Sequence, residues 1–235
     1  GHQAHFVGGS LRDAILGISS DDIDIATSAT PEEVIQVFSG YTVIPTGIDH
    51  GTVTVVYKGD NIEITTFRVD GDYSDGRHPD TVELTKSLEE DVKRRDFTMN
   101  ALAYNPDEGL IDYMNGRVDI TNQVIRAVGN PEDRFTEDPL RIMRGLRFAS
   151  KLGFTIESET ERAIFKKAEL LNNVSVERLR DELDGLLMGE NVASVLVKYA
   201  EVLAVFIPEL EPMIGFDQNT PYHHLNLMEH TAGVV

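Results

Sequence analysis

The sequence predicts an α+β protein, in which a mixed β-sheet with interspersed helices is followed by a wholly helical part. Two observations support this fold class. Runs rich in Val, Ile, Thr and Tyr, which are typical of strands, alternate with capped helices over residues 1–130. After Pro131, apolar residues recur every three or four positions and no convincing strand is found. We therefore expect an α+β part at 1–130 followed by an all-α part at 131–235.

Composition limits the class of protein. The chain has 235 residues, 41% of them hydrophobic, which is enough for the core of one large or two modest domains. It has no cysteine, which excludes disulfides and Cys-based zinc sites and favours the cytoplasm. It also lacks an apolar run of the roughly 20 residues that a membrane helix needs, and a signal-peptide pattern. The first strand starts almost at the first residue, so we expect an upstream element to be missing from this sequence.

The net charge of −19 argues against a general nucleic-acid binder, because phosphate contacts usually draw on a basic surface. Basic residues nevertheless gather at 93–95 and at 141–151. Any RNA binding is therefore expected to be local.

The stretch FVGGSLRDAILGISSDDID, residues 6–24, predicts a strand, a turn, a short helix and a second strand. The turn falls on Gly8 and Gly9, whose unhindered backbone N–H groups at a helix start suit a phosphate. Ser10 is the expected helix cap, and Gly17 is the expected C-terminal stop.

The second strand carries Asp22 and Asp24, which project from one face with Cα atoms roughly 7 Å apart, while Ile23 and Ile25 enter the core. Two carboxylates on a rigid strand suit a divalent metal. Metal and phosphate together indicate nucleotide chemistry. The alternative is a surface loop, since 40 of the 235 residues are Asp or Glu.

The next elements are interpreted as scaffold. Thr30 caps a helix that is expected to end at Gly40, and residues 41–46 and 51–58 read as paired strands.

Residues 61–68 alternate cleanly, with Ile62 and Ile64 on one face and Glu63 on the other. If this strand lies beside that of Asp24, Glu63 joins the aspartates as a third carboxylate. The alternative is a solvated glutamate on an open sheet face.

Residues 69–86 show neither the helical nor the strand spacing of apolar residues, and they contain Gly, Pro and several Asp. A mobile loop is therefore expected there. Ser87 starts a capping box and a helix that carries KRRDFTMNALAYN, residues 93–105. At helical spacing, Asp96 and Asn100 share one face of that helix.

A later helix contains EDPLRIMRGLRFASKLGF, with Thr136 as its expected cap. Arg141, Arg144 and Arg147 form a cationic ribbon on this otherwise apolar element. Further helices are expected at 157–170, 175–188 and 191–206.

Asp138 and Arg141 lie one helical turn apart and can select bases. Cytosine and adenine present an amino donor beside a ring-nitrogen acceptor, whereas uracil and guanine present a carbonyl beside an N–H. A carboxylate that accepts and an arginine that donates therefore select C and A together.

Several motifs resemble those of one family, in order along residues 6–190. GGSLRD followed by DID, RRDFTMNA and EDPLR are similar to motifs of the class II tRNA nucleotidyltransferases and bacterial poly(A) polymerases. DYMNGRVD at 112–119 and RLRDEL at 178–183 resemble two further motifs, both interpreted as structural.

The resemblance implies a nucleotidyltransferase head at 1–130, an all-α neck with the nucleotide-recognition helix at 131–190 and the start of a helical body at 191–235. It implies transfer of C or A from CTP or ATP to the tRNA 3′ end without a nucleic-acid template. It implies that Asp22 and Asp24 hold two Mg²⁺ ions, with Glu63 as a further catalytic carboxylate. The presence of a loop at 69–86 favours the addition of A, because the resemblance implies that this loop is shortened in members that add only C. The nucleotide-binding residues that it implies are Gly8, Gly9, Arg12, Arg95, Asp96, Asn100, Asp138, Arg141, Arg144 and Arg147.

Three alternatives stay open. A bacterial poly(A) polymerase shares these motifs. The tail PYHHLNLMEHT, residues 221–231, resembles the start of an HD phosphohydrolase domain, although no His-Asp pair occurs in the chain. A non-catalytic RNA-binding protein is the third. The sequence leaves open whether CCA, A or CC is added, and the oligomeric state.

Overall fold

The computed structural model describes residues 1–20, 22–71, 81–219 and 224–235. The described residues form two compact units, one made of 1–71, 81–122 and 126–129, the other of 123–125 and those from 130 to 235. None of the helices in the described residues combines the length and the apolar character that a membrane crossing requires.

The first unit contains nine strands and four α-helices among its described residues. The strands are β1 (Ala4–Val7), β2 (Ile23–Thr27), β3 (Thr42–Gly47), β4 (Thr52–Tyr57), β5 (Asp60–Thr66), β6 (Arg68–Asp70), β7 (Val82–Leu84), β8 (Leu102–Asn105) and β9 (Gly109–Asp112). The helices are α1 (Gly8–Leu16), α2 (Pro31–Val37), α3 (Leu88–Lys93) and α4 (Gly116–Thr121), with short 3₁₀ turns at Ile48–His50 and Thr98–Asn100.

Seven of these strands form one sheet in the order β3-β4-β5-β2-β1-β8-β9. Within it β2 and β5 run parallel, and the other neighbouring strands run antiparallel. The mixed sheet that the sequence predicts is therefore confirmed, as is the pairing of β3 with β4.

The two faces of this sheet have separate apolar clusters. On one face Ile64 packs with Val34 of α2, and on the other Val7 packs with Val92 of α3. Asp24 stands directly opposite Val7 in the β1–β2 pairing. Because paired residues share a face, Asp24 projects on the side of Val7 and α3.

Helix α1 begins earlier than the sequence predicts. It starts at Gly8, and Ser10 lies inside its first turn, where Oγ donates to Val7 O at 3.2 Å. The prediction that Ser10 caps this helix is wrong, because Gly8 at φ +76° turns the chain directly from strand into helix. Gly17 ends the helix in the left-handed conformation, as predicted.

The connections around α2 and α3 differ in length from the predictions. Thr30 caps α2 as predicted, but the helix ends at Val37, before Gly40. The loop predicted for 69–86 is partly ordered, because β6 and β7 pair antiparallel at its ends. Residues 72–80, at the centre of that loop, lie outside the described residues.

Ser87 caps α3 as predicted, but the helix ends at Lys93 and does not continue to residue 105. Beyond it, Thr98 N donates to Arg126 O at 2.9 Å, and Leu102–Asn105 joins the main sheet as β8. The apolar spacing that predicted a long helix is overridden here by pairing with distant backbone.

The second unit is helical except for one short strand pair in its described part. β10 (Val124–Ile125) pairs in parallel with β11 (Thr155–Ile156), which corrects the expectation that strands end at Pro131. Its helices are α5 (Pro131–Glu137), α6 (Leu140–Leu152), α7 (Ser158–Lys167), α8 (Val176–Leu187), α9 (Val192–Lys198), α10 (Ala200–Ala204) and α11 (Leu227–Ala232), with 3₁₀ turns at Ala168–Asn173 and Pro208–Met213.

Helix α6 packs closely along α8. Ile142, Leu146 and Leu186 are fully buried, and Ser150 Oγ donates to Leu186 O at 2.7 Å. A Cβ at Gly189 would lie 2.2 Å from Ser150 Oγ, so glycine is required for this approach. The close packing fixes the side chains of α6 that face α8.

The start of α6 also differs from the prediction. Thr136 lies within α5 and its Oγ1 donates to Glu132 O at 2.7 Å, so it does not cap α6. The cap position of α6 is Pro139, which has no capping side chain; Asp138, the residue before it, accepts from Leu140 N through Oδ1 at 3.2 Å.

Candidate active site

Asp24 and Glu63 stand side by side on the parallel strands β2 and β5. Thr54 of β4 is paired with Glu63 on the far side. Because register partners share a face, the two carboxylates project together, as the sequence predicts for strand 61–68. The structure thus brings together two of the three predicted catalytic carboxylates.

Gly8 brings backbone directly against the Asp24 carboxylate. A Cβ built at Gly8 would lie 2.8 Å from Asp24 Oδ2 and 3.6 Å from Arg95 Nη1. Any larger residue would displace one of these groups. The start of α1, a carboxylate and a guanidinium therefore meet around one glycine.

Two carboxylates and one guanidinium act on the charge of Asp24. Burial, reinforced by the neighbouring charges of Asp22 and Glu63 and opposed by Arg95, raises the pKa of Asp24 to about 6. Carboxylates that repel one another are stabilised by a cation placed between them. Oxygen donors of this kind suit a divalent metal, so the donor set fits the predicted cofactor.

Asp22 lies just before β2 and is exposed. Its backbone N donates to Ser20 Oγ at 3.3 Å, and the residue borders an apolar cavity of about 440 Å³. Within the described part of the chain, no three carboxylate or imidazole side chains are already gathered as ligands of one ion. A cation bound here would therefore draw the side chains of Asp22 and Asp24 toward itself.

Arg12, Asn100 and Asp96 form one hydrogen-bonded chain. Arg12 Nη1 donates to Asn100 Oδ1 at 2.8 Å, and Asn100 Nδ2 donates to Asp96 Oδ1 at 3.0 Å. Asp13 holds the other edge of Arg12, accepting from Nε at 2.8 Å and Nη2 at 2.7 Å. Asp96 and Asn100 are therefore neighbours as predicted, although a 3₁₀ turn and not a helix joins them.

A polar cavity of about 210 Å³ lies beside Asp24. Its floor includes the hydroxyls of Thr52 and Thr65, which are 2.9 Å apart. The other residues that line it are Val7, Ile25, Arg68, Arg94 and Arg95. Arginines and hydroxyls next to a carboxylate make this cavity suitable for a phosphate group near a metal.

Gly116 and Asp119 of the motif DYMNGRVD both contact Thr98. A Cβ at Gly116 would lie 2.1 Å from Thr98 O, so the chain can pass there only as glycine. Asp119 is buried and accepts from Thr98 Oγ1 at 2.6 Å and from Arg126 Nε at 3.2 Å. These contacts agree with the structural role predicted for this motif.

In the second unit, Asp138 is held from two sides at the start of α6. Arg178 Nη2 of α8 lies 3.1 Å from Asp138 Oδ2, and Leu140 N donates to Oδ1. Arg178 Nη2 also donates to Oδ1 at 3.3 Å, so both lone-pair directions of Oδ1 are used, whereas Oδ2 retains one. Asp138 is thus oriented and still able to accept a further hydrogen bond.

The predicted arginine ribbon of α6 is matched by carboxylates. Arg141 is buried and its Nη1 donates to Glu137 Oε2 at 2.9 Å. Arg147 Nε lies 2.6 Å from Glu182 Oε2, in contact but outside hydrogen-bond geometry, and Arg144 Nη1 lies 3.7 Å from Glu182 Oε1. The ribbon is therefore a set of oriented ion pairs and not a bare cationic surface.

Some of the acidic and basic residues that hold the predicted site residues were not themselves predicted as site residues. Asp91 lies three and four residues before Arg94 and Arg95, and Glu137 lies four before Arg141, so helical spacing could have identified both. Arg178 and Glu182 reach α6 from another helix. No local pattern in α6 indicates those two.

Comparison with known proteins agrees with the motifs. Residues 4–126, slightly more than half of the chain, match the family described as "Poly A polymerase head domain". The chain belongs to the poly A polymerase family. Residues 153–214 match a second description, "Probable RNA and SrmB- binding site of polymerase A". The resemblance that the sequence motifs predict is therefore confirmed.

Within the poly A polymerase family, similar proteins are named CCA-adding enzymes. That of Ligilactobacillus salivarius is 47% identical over 224 residues, which are 92% of this chain and 55% of that relative. The Bacillus stearothermophilus enzyme, solved with CTP, is 48% identical with a TM-score of 0.78, covering 86% of this chain and 48% of that one.

The Thermotoga maritima CCA-adding enzyme, solved with tRNA, is 29% identical with a TM-score of 0.75, over 88% of this chain and 49% of that one. The present chain thus spans about half the length of these relatives. The similarity supports the α+β head fold predicted from the sequence.

Proposed function

We propose that this protein is a template-independent nucleotidyltransferase that adds C, A or both, from CTP and ATP, to the 3′ end of tRNA. The observation that carries the proposal is the meeting of Asp24 and Arg95 at Gly8, with Glu63 beside Asp24 on the neighbouring strand. Similar proteins named CCA-adding enzymes, one solved with CTP and another with tRNA, support the choice of substrates.

We propose Mg²⁺ as the cofactor, held by Asp22 and Asp24 with Glu63 beside them. When bound, Mg²⁺ supplies charge neutralisation at the phosphates and a lower pKa for the attacking 3′-hydroxyl. Burial and the charges of Asp22 and Glu63 raise the pKa of Asp24 to about 6, and the repulsive part of this effect supports the assignment because a cation relieves it.

The nucleotide phosphates are proposed to lie against the start of α1, at Gly9, with Arg12 and Arg95 as their cationic partners. Arg12 is oriented by Asp13 and by Asn100, so it offers a fixed and not a mobile guanidinium. Asp96, which Asn100 contacts, is proposed to lie near the ribose. Orienting the triphosphate in this way lowers the entropic part of the barrier.

Base choice is proposed to depend on Asp138 and Arg141. Asp138 is oriented by Arg178, and Arg141 by Glu137, so each presents a defined group. The carboxylate would accept from the amino group of cytosine or adenine, and the guanidinium would donate to the ring nitrogen. Arg144 and Arg147 are proposed as further nucleotide contacts on the same helix.

The domain division that we propose is a catalytic head at residues 1–130, a neck with the recognition helix at 131–190 and the start of a body at 191–235. The tail 221–231 remains a proposed HD-like segment, and residues 220–223 lie outside the described residues. The proposed substrates place the activity in the cytoplasm.

The proposal is tested with tRNA transcripts that lack CCA, CA or A at the 3′ end, each incubated with single nucleotides and Mg²⁺. Incorporation of CTP or ATP, but not of UTP or GTP, is expected on at least one transcript. The absence of incorporation by a folded protein on all three would overturn the proposal. Long A tails on unrelated RNA would favour poly(A) synthesis, which the family description makes the second candidate.

A further inference from the structure

Asp91 of α3 is completely buried, yet its carboxylate is surrounded by cationic and N–H donors. Arg94 donates to Oδ1 through Nε at 3.0 Å and Nη2 at 2.8 Å, and Arg95 Nη2 lies 3.3 Å from Oδ2. The backbone N of Arg68 also donates to Oδ1, at 3.3 Å. Burial alone would raise the pKa of Asp91, but these arginines and hydrogen bonds hold it below its ordinary range.

The charge balance of this cluster distinguishes it from an ordinary structural ion pair. One carboxylate holds two guanidinium groups, so Asp91, Arg94 and Arg95 together retain a net positive charge. That charge lies at the wall of the cavity beside Asp24. An anion entering the cavity would meet arginines whose position is already fixed.

Arg94 and Arg95 both line the cavity, and Arg95 also lies near Gly8 and acts on the charge of Asp24. One edge of its guanidinium binds Asp91, and Nη1 points toward Asn100 O at 3.5 Å and the Asp24 side. Its Nε is buried and has no hydrogen-bond partner among the described residues. Fixing an arginine removes rotamer freedom before the ligand arrives, so less entropy is lost on binding.

We infer that Asp91 is a positioning residue, which acts through Arg95 to bind the triphosphate of the incoming nucleotide. The inference rests on the proposed function and extends it to a residue that touches neither nucleotide nor metal. The bond from Arg68 N ties the first residue of β6 to the same carboxylate. Asp91 therefore also links the β6–β7 strand pair to the phosphate site.

The test is a double-mutant cycle with Asp91→Asn, Arg95→Ala and the double variant. Dissociation constants for CTP and for inorganic tripolyphosphate are measured by calorimetry with Mg²⁺ and without RNA, so that no transfer occurs. Asp91→Asn is expected to weaken both ligands by about tenfold or more, the effect of a lost charged hydrogen bond. In the Arg95→Ala background, Asp91→Asn should change neither constant further.

Asp119→Asn is the matched control, because Asp119 is also a buried carboxylate that binds an arginine, Arg126, in the same unit. It should lower the melting temperature but leave both dissociation constants within about twofold. The inference would be overturned if Asp91→Asn and Asp119→Asn weakened ligand binding equally. It would also be overturned if Asp91→Asn weakened binding equally in proteins with and without Arg95.

Two further outcomes are decisive. If Asp91→Asn does not fold, Asp91→Glu takes its place in the cycle, since it keeps the charge but displaces it. The inference is supported if Asp91→Glu weakens ligand binding in the wild-type background but has no effect in the Arg95→Ala background. It is overturned if Asp91→Glu leaves binding unchanged. If the wild-type protein transfers nucleotides but Asp91 variants bind CTP normally, the inference alone fails, whereas a wild-type protein without transfer refutes the proposed function.

Discussion

Replacing Asp24 by Asn is expected to stabilise the metal-free protein while abolishing nucleotide transfer. Folding raises the pKa of Asp24 from 3.8 to about 6, so the charged form opposes the folded state. This difference corresponds to at most roughly 3 kcal/mol in the free energy of unfolding. Because Asp24 is only half-buried and solvent screens its charge, we expect about 1 kcal/mol at neutral pH.

The pH dependence follows from the direction of this shift. A raised carboxyl pKa favours folding while the group is protonated, so its contribution is full below about pH 4 and lost as the pH rises to about 6. Asn imitates the protonated side chain. The advantage of Asp24→Asn over the wild type should therefore be near zero at about pH 4, grow up to about pH 6 and stay constant above it.

Urea unfolding with EDTA, followed by circular dichroism across this pH range, measures the difference. Asp60→Asn is the control, because Asp60 is exposed at the start of the same strand as Glu63, and it should change stability by less than about 0.5 kcal/mol. Added Mg²⁺ should stabilise the wild type but not Asp24→Asn. An Asp24→Asn protein that is less stable than the wild type at neutral pH, or that shows no pH-dependent difference, would refute the reasoning.

Three further outcomes are expected. Gly8→Ala combines a positive φ with a Cβ 2.8 Å from Asp24 Oδ2, so it should cost about 1 to 2 kcal/mol of stability and reduce kcat/KM about 100-fold or more. Asp138→Ala should slow CTP and ATP incorporation and narrow their advantage over UTP and GTP, which sites of this kind set at roughly 10⁴ to 10⁵. Glu182→Gln leaves Arg147 without its carboxylate and should lower the free energy of unfolding by about 1 to 3 kcal/mol.

Each of these outcomes has a matched comparison. Gly17→Ala, at φ +73° on the same helix with open space around it, should lose similar stability but keep its kcat/KM. If Gly8→Ala behaves identically, contact with the carboxylate is unimportant. If Asp138→Ala slows the incorporation of all four nucleotides equally, Asp138 only holds the start of α6 through Leu140 N. The comparison for Glu182→Gln is Glu169→Gln, since Glu169 is exposed. Thermal melting measures the stability of both variants, and an equal loss of stability would contradict the prediction.

The sequence predicts the residues of the candidate site better than the elements that carry them. The alternation of Ile62, Glu63 and Ile64 predicts which face of the strand carries Glu63, because a strand leaves two choices of face. That this strand lies beside the strand of Asp24 was a condition of the prediction, and the pairing of β2 with β5 meets it. Asp96 and Asn100 do meet, but the helix predicted to join them ends at Lys93.

The wrong prediction of a helix that continues beyond Lys93 has a physical cause. Apolar residues spaced by three or four positions suit a helix, but here their backbone pairs with chain nearly thirty residues away, as Thr98 does with Arg126. Partners such as Glu182, which reaches α6 from α8, depend on how two helices pack. Local spacing holds no information on that packing.

The parallel pairing of β2 with β5 has a kinetic consequence. Parallel neighbours need a long crossover, and here α2, β3 and β4 all intervene between Thr27 and Asp60. The carboxylates of Asp24 and Glu63 repel and so oppose the pairing of β2 with β5, whereas the apolar cluster that contains Ile64 and Val34 favours it. Long-range contacts of this type form late in folding. Cation binding would therefore indicate that β5 has paired with β2. A nascent chain that ends before β5 would contain Asp24 but not Glu63, the neighbour that completes its site.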